Sequence, residues 1–172
     1  MPNRKQMEQA RIIIESFGFV KNEKRETEQD ASVITIQIKD SDGAIADIDI
    51  GKERSEAAEV LFRPRKFSLT STQTSLPETI VRSLRQCDRA LRTEFASNII
   101  LTGGPSMLPG FKERLLSELR PLMKTDFSIY TTEAQGTYIG GCLQCKSMPH
   151  SQWVSRDEYE KYGGGIIRKK CF

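Results

Sequence analysis

The stretch from Asn98 to Thr131 constrains the fold more than any other part of the chain. Asn98–Thr102 (NIILT) is a short apolar run that stops at two glycines, Gly103 and Gly104. After the turn GGPSML, Pro109 opens a segment in which Phe111, Leu115, Leu119 and Leu122 fall on one face of a helix reaching about Met123. Phe127–Thr131 (FSIYT) then reads as a second strand. Strand, helix and strand in this order make a βαβ unit, and chirality leaves it one solution, a parallel pair joined by a right-handed crossover. The chain is therefore α/β.

The glycine turn itself has two readings. A strand that runs through glycines into a helix N-terminus presents outward backbone amides and a favourable dipole, which suits an anion or a nucleotide. It is equally a tight βα corner. The phosphate-loop pattern G-x-x-x-x-G-K-[ST] is absent, because Gly104 is followed by Pro105-Ser106-Met107-Leu108-Pro109-Gly110 with no lysine, and G-x-G-x-x-G is absent too.

On the N-terminal side, Met7, Ala10, Ile14 and Phe17 share one face of a helix over Arg4–Phe19, ended by Gly18. The polar run KNEKRETEQDAS reads as an exposed connector. Val33–Lys39 and Ala44–Ile50 are alternating β-branched runs joined by Asp-Ser-Asp-Gly, which is hairpin chemistry with Gly43 free to take positive φ. Ser55 is expected to cap a short helix, EAAEVLF, closed by Pro64, and a Ser/Thr-rich surface loop follows over Ser68–Ser75. Pro77 opens a helical stretch whose stripe Ile80, Leu84, Cys87, Leu91 and Phe95 predicts a core-facing side. Downstream, TYIGGCLQC reads as a strand end or a close approach running into a short helix. Ser155–Glu158 is a capping box for a last helix ended by Gly163–Gly165.

Composition narrows the function classes. At 172 residues the chain can bury a core without staples, and its 28% charged residues leave a net charge of only +3 with signs interspersed. No basic face for nucleic acid and no membrane-spanning or secretory segment is indicated, so a cytosolic or nuclear protein is expected. The cysteines Cys87, Cys142, Cys145 and Cys171, with one histidine, His150, fit neither a disulfide framework nor a zinc module. Cys142 and Cys145 form C-x-x-C beside Gly140-Gly141 and are expected to pack in a core. His150 is expected in an exposed loop without a nucleophile.

At this point the chain resembles a known family. NIILTGGPSMLPGFKERLLSEL is similar to the stretch of actin and the actin-related proteins that carries a strand, GG, a methionine, PG and an amphipathic helix. SLRQCDRALRTEFASNI resembles the family's helix with a CD dipeptide, EVLFRP its ALFQP segment, and ARIIIESFGFV the helix leading into its CYV. YIGG and QWVSRDEYEKYGGGIIRKKCF resemble its WIGG and its C-terminus. These blocks run collinearly over nearly the whole chain and match only the C-terminal half of the family's fold.

The resemblance implies a partial actin-like (ribonuclease H-like/actin ATPase) α/β fold. Residues 1–67 would be a remnant of the small outer subdomain (helix, polar connector, β-hairpin), 68–137 the large inner subdomain with the βαβ unit, and 138–172 the C-terminal helices and tail. In the family, ATP lies between two halves, and its triphosphate and metal are held mainly by glycine hairpins and acidic residues of the N-terminal portion. This chain has no counterpart of those, so no metal held by this chain alone and no catalytic residue are implied. Adenosine-side positions carried over are Arg11, Glu15, Gly103, Gly104 and Met107. Against them, a family lysine stands as Ile14, a threonine as Pro105, an aromatic as Leu108 and a second lysine as Ala134, which implies weak ATP or ADP contact. Leu143, Met148 and Trp153 lie where the family has a groove for partner helices, altered here by Lys146, Pro149 and His150; Trp153 as a core anchor is the competing reading.

The implied role is a non-catalytic, actin-related structural subunit that binds other proteins in a cytoskeletal assembly, without direct nucleic-acid or membrane contact. Two alternatives stand beside it: a nuclear subunit of a chromatin-remodelling complex, and the C-terminal part of an ATP-binding actin-like protein. A half fold also implies an exposed sheet edge, hence either assembly with another polypeptide or poor solubility when expressed alone.

Overall fold

The computed structural model describes residues 4–21, 32–39, 44–67 and 73–170. The chain divides into two compact units, 1–134 and 135–172. The turn Asp40–Gly43, most of the polar connector, the start of the Ser/Thr loop and Cys171 lie outside the described residues.

The first unit begins with helix α1 (Arg4–Phe17). Gly18 ends it because a Cβ there would lie 2.4 Å from the Ile14 carbonyl oxygen, to which the Gly18 N–H donates at 2.8 Å. Strands β1 (Ile34–Lys39) and β2 (Ile45–Ile50) pair antiparallel, with Ile34 opposite Ile50 and Ile36 opposite Ile48. The period of two makes one hairpin face apolar, while the other sets Thr35 opposite Asp49 with a 2.7 Å hydrogen bond between their side chains. Ile36 and Ile38 line a shallow apolar groove with Ile12, Ile13 and Phe17 of α1.

Helix α2 (Glu53–Phe62) starts earlier than expected. Ser55 is not its cap but a buried residue inside it, donating to the Lys52 carbonyl, and the Glu53 carboxylate accepts the Gly51 N–H at 2.9 Å instead. A short turn of helix, α3 (Pro64–Phe67), follows the break at Arg63. Helix α4 (Leu76–Gln86) begins at a capping box of Ser75 and Glu78, with Pro77 in its first turn.

The stripe predicted from Ile80 to Phe95 does not run on one helix. Cys87 is extended, and a new short helix, α5 (Arg92–Ala96), starts beyond it. Two side chains account for the break. Asp88 accepts the Ala90 N–H at 3.0 Å, an alternative to helix continuation. The Arg92 guanidinium caps the end of α4, donating to the carbonyls of Cys87 (3.0 Å) and Arg85 (2.7 Å). Ile80 packs on the core, whereas Leu91 and Phe95 are left exposed.

Strands β3 (Ile99–Leu101) and β4 (Ile129–Thr131) pair parallel in register, Ile99 opposite Ile129, with helix α6 (Phe111–Leu119) between them in the chain. This is the expected βαβ unit. Phe111, Leu115 and Leu119 of α6 are buried and join Val20, Ala58, Phe62 and Ile129 in the core, where the Phe62 and Phe111 rings meet edge-to-face at 5.6 Å. Leu122 was expected inward but is exposed, because α6 stops before Pro121.

In the second unit TYIGGCLQC is not a strand end. It lies inside a twelve-residue helix, α7 (Gly136–Ser147). Helix α8 (Arg156–Tyr162) carries the expected capping box of Ser155 and Glu158 and ends at Gly163, whose φ of +58° suits glycine. The chain then forms a further helix, α9 (Gly165–Lys170), where the sequence had suggested only a tail. Lys170 Nζ donates to the Trp153 carbonyl (2.6 Å) and to the Glu158 carboxylate (2.7 Å), tying the end of α9 to the start of α8.

Candidate functional site

The three glycines around the predicted turn sit in three different environments. Beyond β3, Gly103 takes φ +93° and ψ 167°, a backbone that side chains disfavour, yet a Cβ on it would meet nothing within 4 Å. Gly110 has φ +81° and a Cβ there would lie 2.6 Å from the Val20 carbonyl oxygen, next to the Val20 N–H that donates to Pro109 at 2.8 Å. Gly104 needs neither explanation: its φ is ordinary, it is exposed, and the space beyond its Cα is open. The packing corner is therefore Pro109-Gly110. The backbone of Gly103-Gly104 faces open space.

Between them Gly104–Met107 forms a single 3₁₀ turn, fixed by the buried Ser106 hydroxyl, which donates to the Gly103 carbonyl at 2.8 Å. Met107 is 51% exposed. Leu108, standing where an aromatic was expected from the resemblance, packs against the core and presents no open stacking face. From the strand side, Thr102 Oγ1 donates to the Glu133 carbonyl at 3.3 Å and the Thr132 N–H to the Leu101 carbonyl at 2.9 Å.

Arg11 and Glu15 are brought together on the exposed face of α1. The Arg11 guanidinium pairs with Glu8 and, at 3.0 Å, with Glu15. The hydrogen bond from Arg11 holds the Glu8 carboxyl below its ordinary value, and that same bond, with the Glu15 charge, holds the guanidinium proton more tightly. The two carboxylates already offset the Arg11 charge that an incoming phosphate would meet. Among the described residues, no hydrogen bond or ion pair joins this group to the glycine turn. The covalent and packing link runs through Phe19 and Val20: the Phe19 N–H donates to the Arg54 carbonyl at 3.2 Å, and Arg54 stacks on the Phe19 ring at 5.2 Å.

In the second unit Leu143 is 62% exposed, Met148 half-buried and Trp153 44% exposed. Trp153 as a core anchor is thereby corrected; it is the Trp153 carbonyl, through Lys170, that holds the helices, and its ring stays open. Cys142 and Cys145 are also exposed, against the expected core packing, because α7 buries none of its residues. His150 is exposed in a short 3₁₀ turn, as expected.

Sequence reading missed Arg114. It is 1% exposed, pairs with Glu59 and Glu118 at 2.9 Å each, donates to the Lys21 carbonyl at 2.6 Å and lies 5.1 Å over the Phe62 ring. The available signal was an arginine one step from Leu115 on the buried side of α6, with a carboxylate four residues on at Glu118. Its role is to join α2 and α6. Among the described residues, no group of three or more His, Cys, Asp or Glu side chains is placed to hold a metal ion, and no helix is long and apolar enough to cross a membrane.

Compared with known families, residues 3–172 match the Actin family. The chain belongs to the actin family. Within it, this actin-family chain is 34% identical to actin-29 of Dictyostelium discoideum over 93% of its own length and 43% of the relative's. It is 36% identical to actin-related protein 6 of Arabidopsis thaliana over 73% of its length and 31% of the relative's. It thus spans less than half the length of these curated relatives. The partial actin-like α/β fold expected from the residues is the fold of the chain.

Proposed function

We propose that this actin-family chain is a non-hydrolysing, protein-binding subunit that works inside a larger cytoskeletal assembly, in the cytoplasm, with nucleotide contact reduced to a weak purine-side remnant. One observation carries the reading: the apolar surface left open. The parallel pair β3 and β4 leaves Ile100 and Tyr130 exposed, and α7 exposes Tyr138, Ile139 and Leu143. Parallel strands are ordinarily covered on both faces, and a chain with so much uncovered apolar surface is suited to partners. In the second unit, Leu143, Met148 and Trp153 are the residues proposed to receive a helix.

The nucleotide residues fit one side of a ligand only. Gly103 and Gly104 offer approachable backbone, and Met107 an exposed apolar side chain, against a purine. Arg11 and Glu15 are engaged with each other and Leu108 with the core, so affinity rests on few contacts. ATP or ADP would bring the phosphates and a metal; among the described residues no three His, Cys, Asp or Glu side chains are grouped to hold the metal.

Two other readings have specific support. Likeness to an actin-related protein, and not only to an actin, favours a nuclear subunit of a chromatin-remodelling complex. The coverage of 43% and 31% of the relatives favours a chain that shares ATP binding with the rest of an actin-like fold. Native affinity purification with intact-mass measurement separates them. A protein of this chain's length recovered with actin-like or filament proteins supports the subunit reading. Recovery with nuclear subunits supports the second, and a protein about twice as long that retains ATP on equilibrium dialysis overturns the first.

A further inference from the structure

A cavity of about 570 Å³ opens in the first unit between α2, α3, the start of α4 and the end of α6. That volume falls within the range of ligand pockets, about 300–1,000 Å³, and its residues are not those of the apolar surface proposed above. Leu122, which helical spacing placed inward, lines this cavity with Pro121 and stays 38% exposed. Opposite in character, the run Arg63-Pro64-Arg65-Lys66 lines it too. Pro64 is buried, and its fixed φ after the break at Arg63 sets where the next two residues emerge.

Three carboxylates share the lining, and each is already engaged. Glu59 and Glu118 pair with the buried Arg114, and Glu78 accepts the Ser75 N–H at 2.8 Å. Arg63 also reaches Glu118, at 3.4 Å. Arg65 and Lys66 differ from these groups: both are exposed, and among the described residues neither makes an ion pair. Lys66 Nζ lies 5.4 Å over the Phe67 ring, which gives the ammonium a ring contact but no anion. The Glu78 carboxyl is held below its ordinary value first by its bonds with Ser75 and in smaller part by the Arg65 charge, so Arg65 stands on the α4 side of the cavity. An open pair of cations beside an open leucine calls for a ligand that is both anionic and apolar.

We propose that this cavity receives an acidic segment of a partner protein, with carboxylates on Arg65 and Lys66 and a neighbouring apolar side chain on Pro121 and Leu122. Basic clusters read acidic motifs in this way, and the guanidinium fork matches a carboxylate. Nucleic acid is the poorer fit, because two open cations among three carboxylates neutralise few phosphates, and backbone binding needs many. The site adds a contact to the protein-binding reading, and its failure would leave that reading standing.

The test is fluorescence anisotropy of the full chain with a labelled peptide of alternating glutamate and leucine, beside the same peptide with glutamine for glutamate and a single-stranded oligonucleotide. The expected result is saturable binding of the acidic peptide that weakens with added salt, and no binding of the other two. Arg65→Ala with Lys66→Ala should weaken it by about tenfold or more, through loss of two charge-assisted contacts, with helical circular dichroism unchanged. Arg82→Ala with Arg89→Ala removes the same charge from α4 and the turn after it, outside the cavity, and should leave binding in place. Leu122→Ser should weaken binding without altering its salt dependence. The proposal is overturned if the acidic peptide does not bind, if the glutamine peptide or the oligonucleotide binds as well, if the Arg82, Arg89 variant loses as much as the Arg65, Lys66 variant, or if the Arg65, Lys66 variant or the Leu122 variant binds as the parent does.

Discussion

Arg114 and Glu59 meet at 2.9 Å with the guanidinium only 1% and the carboxylate 12% exposed. The pair joins α6 to α2, and its two ends differ in their access to water. Removing the carboxylate leaves a buried cation; removing the cation leaves carboxylates that can still reach solvent. Glu59→Ala should therefore destabilise the chain by roughly 3 kcal/mol, towards the lower end of the range for a broken buried pair because Glu118 remains. Arg114→Met should cost less, since it keeps the stem that packs on Phe62. Urea unfolding followed by circular dichroism measures both, and an equal or reversed ranking would refute this account.

The three turn glycines should separate under substitution by alanine. Gly110→Ala meets a backbone oxygen at 2.6 Å as well as an unfavourable φ, so it should be the most damaging. Gly103→Ala has strain without a clash and should cost about 1–3 kcal/mol. Gly104→Ala should leave stability unchanged and act, if anywhere, on nucleotide or partner binding. Melting temperatures of the three variants give the order directly; a destabilised Gly104→Ala chain would show that the open face is packed.

Much of this fold was legible because its elements differ in period. The alternation of VITIQIK and AIADIDI reads as a hairpin with one apolar face, and Phe111, Leu115 and Leu119 read as a helix face. What was not legible depended on competing local bonds. The stripe from Ile80 to Phe95 keeps helical spacing through Cys87, yet Asp88 and Arg92 satisfy the backbone better by breaking there. Ser55 looks like a cap, but Glu53 reaches the Gly51 amide first. At the candidate site the sequence showed three glycines and could not say which was required by packing, which by φ and which by neither. That distinction needs Val20, which lies far away in the chain, bonds to Pro109 and sets its carbonyl oxygen where a Cβ on Gly110 would fall.

Leu115 and Leu119 are fully buried at the centre of the first unit's core. Either leucine changed to alanine loses transfer energy and leaves a cavity, together about 2–5 kcal/mol. Against a typical total of about 5–15 kcal/mol for a whole domain, one such change should remove a large share of the first unit's stability and clearly lower its denaturation midpoint. Leu143→Ala removes as large a side chain from an exposed position and should leave the denaturation midpoint in place while weakening partner recovery. If Leu143→Ala instead unfolds the chain, α7 is a core helix and the docking surface proposed on it is wrong.

Acid should loosen the starts of α4 and α8 together. The Glu78 carboxylate accepts the Ser75 N–H, and Glu158 accepts from Lys170 and then from the Ser155 N–H; these bonds hold both carboxyls below their ordinary value. A group whose folded value is depressed contributes stability that is fully present above its unfolded value, about pH 4.3 for glutamate. That contribution is lost as pH falls through the lower folded values. Helical circular dichroism should therefore hold steady on descending to about pH 5 and decline below about pH 4. Glu78→Gln keeps the geometry of a capping side chain but cannot titrate, so with Glu158→Gln it should lower helicity slightly at neutral pH and flatten the acid decline. An unaltered acid limb in the double variant would refute the assignment of the decline to these two caps.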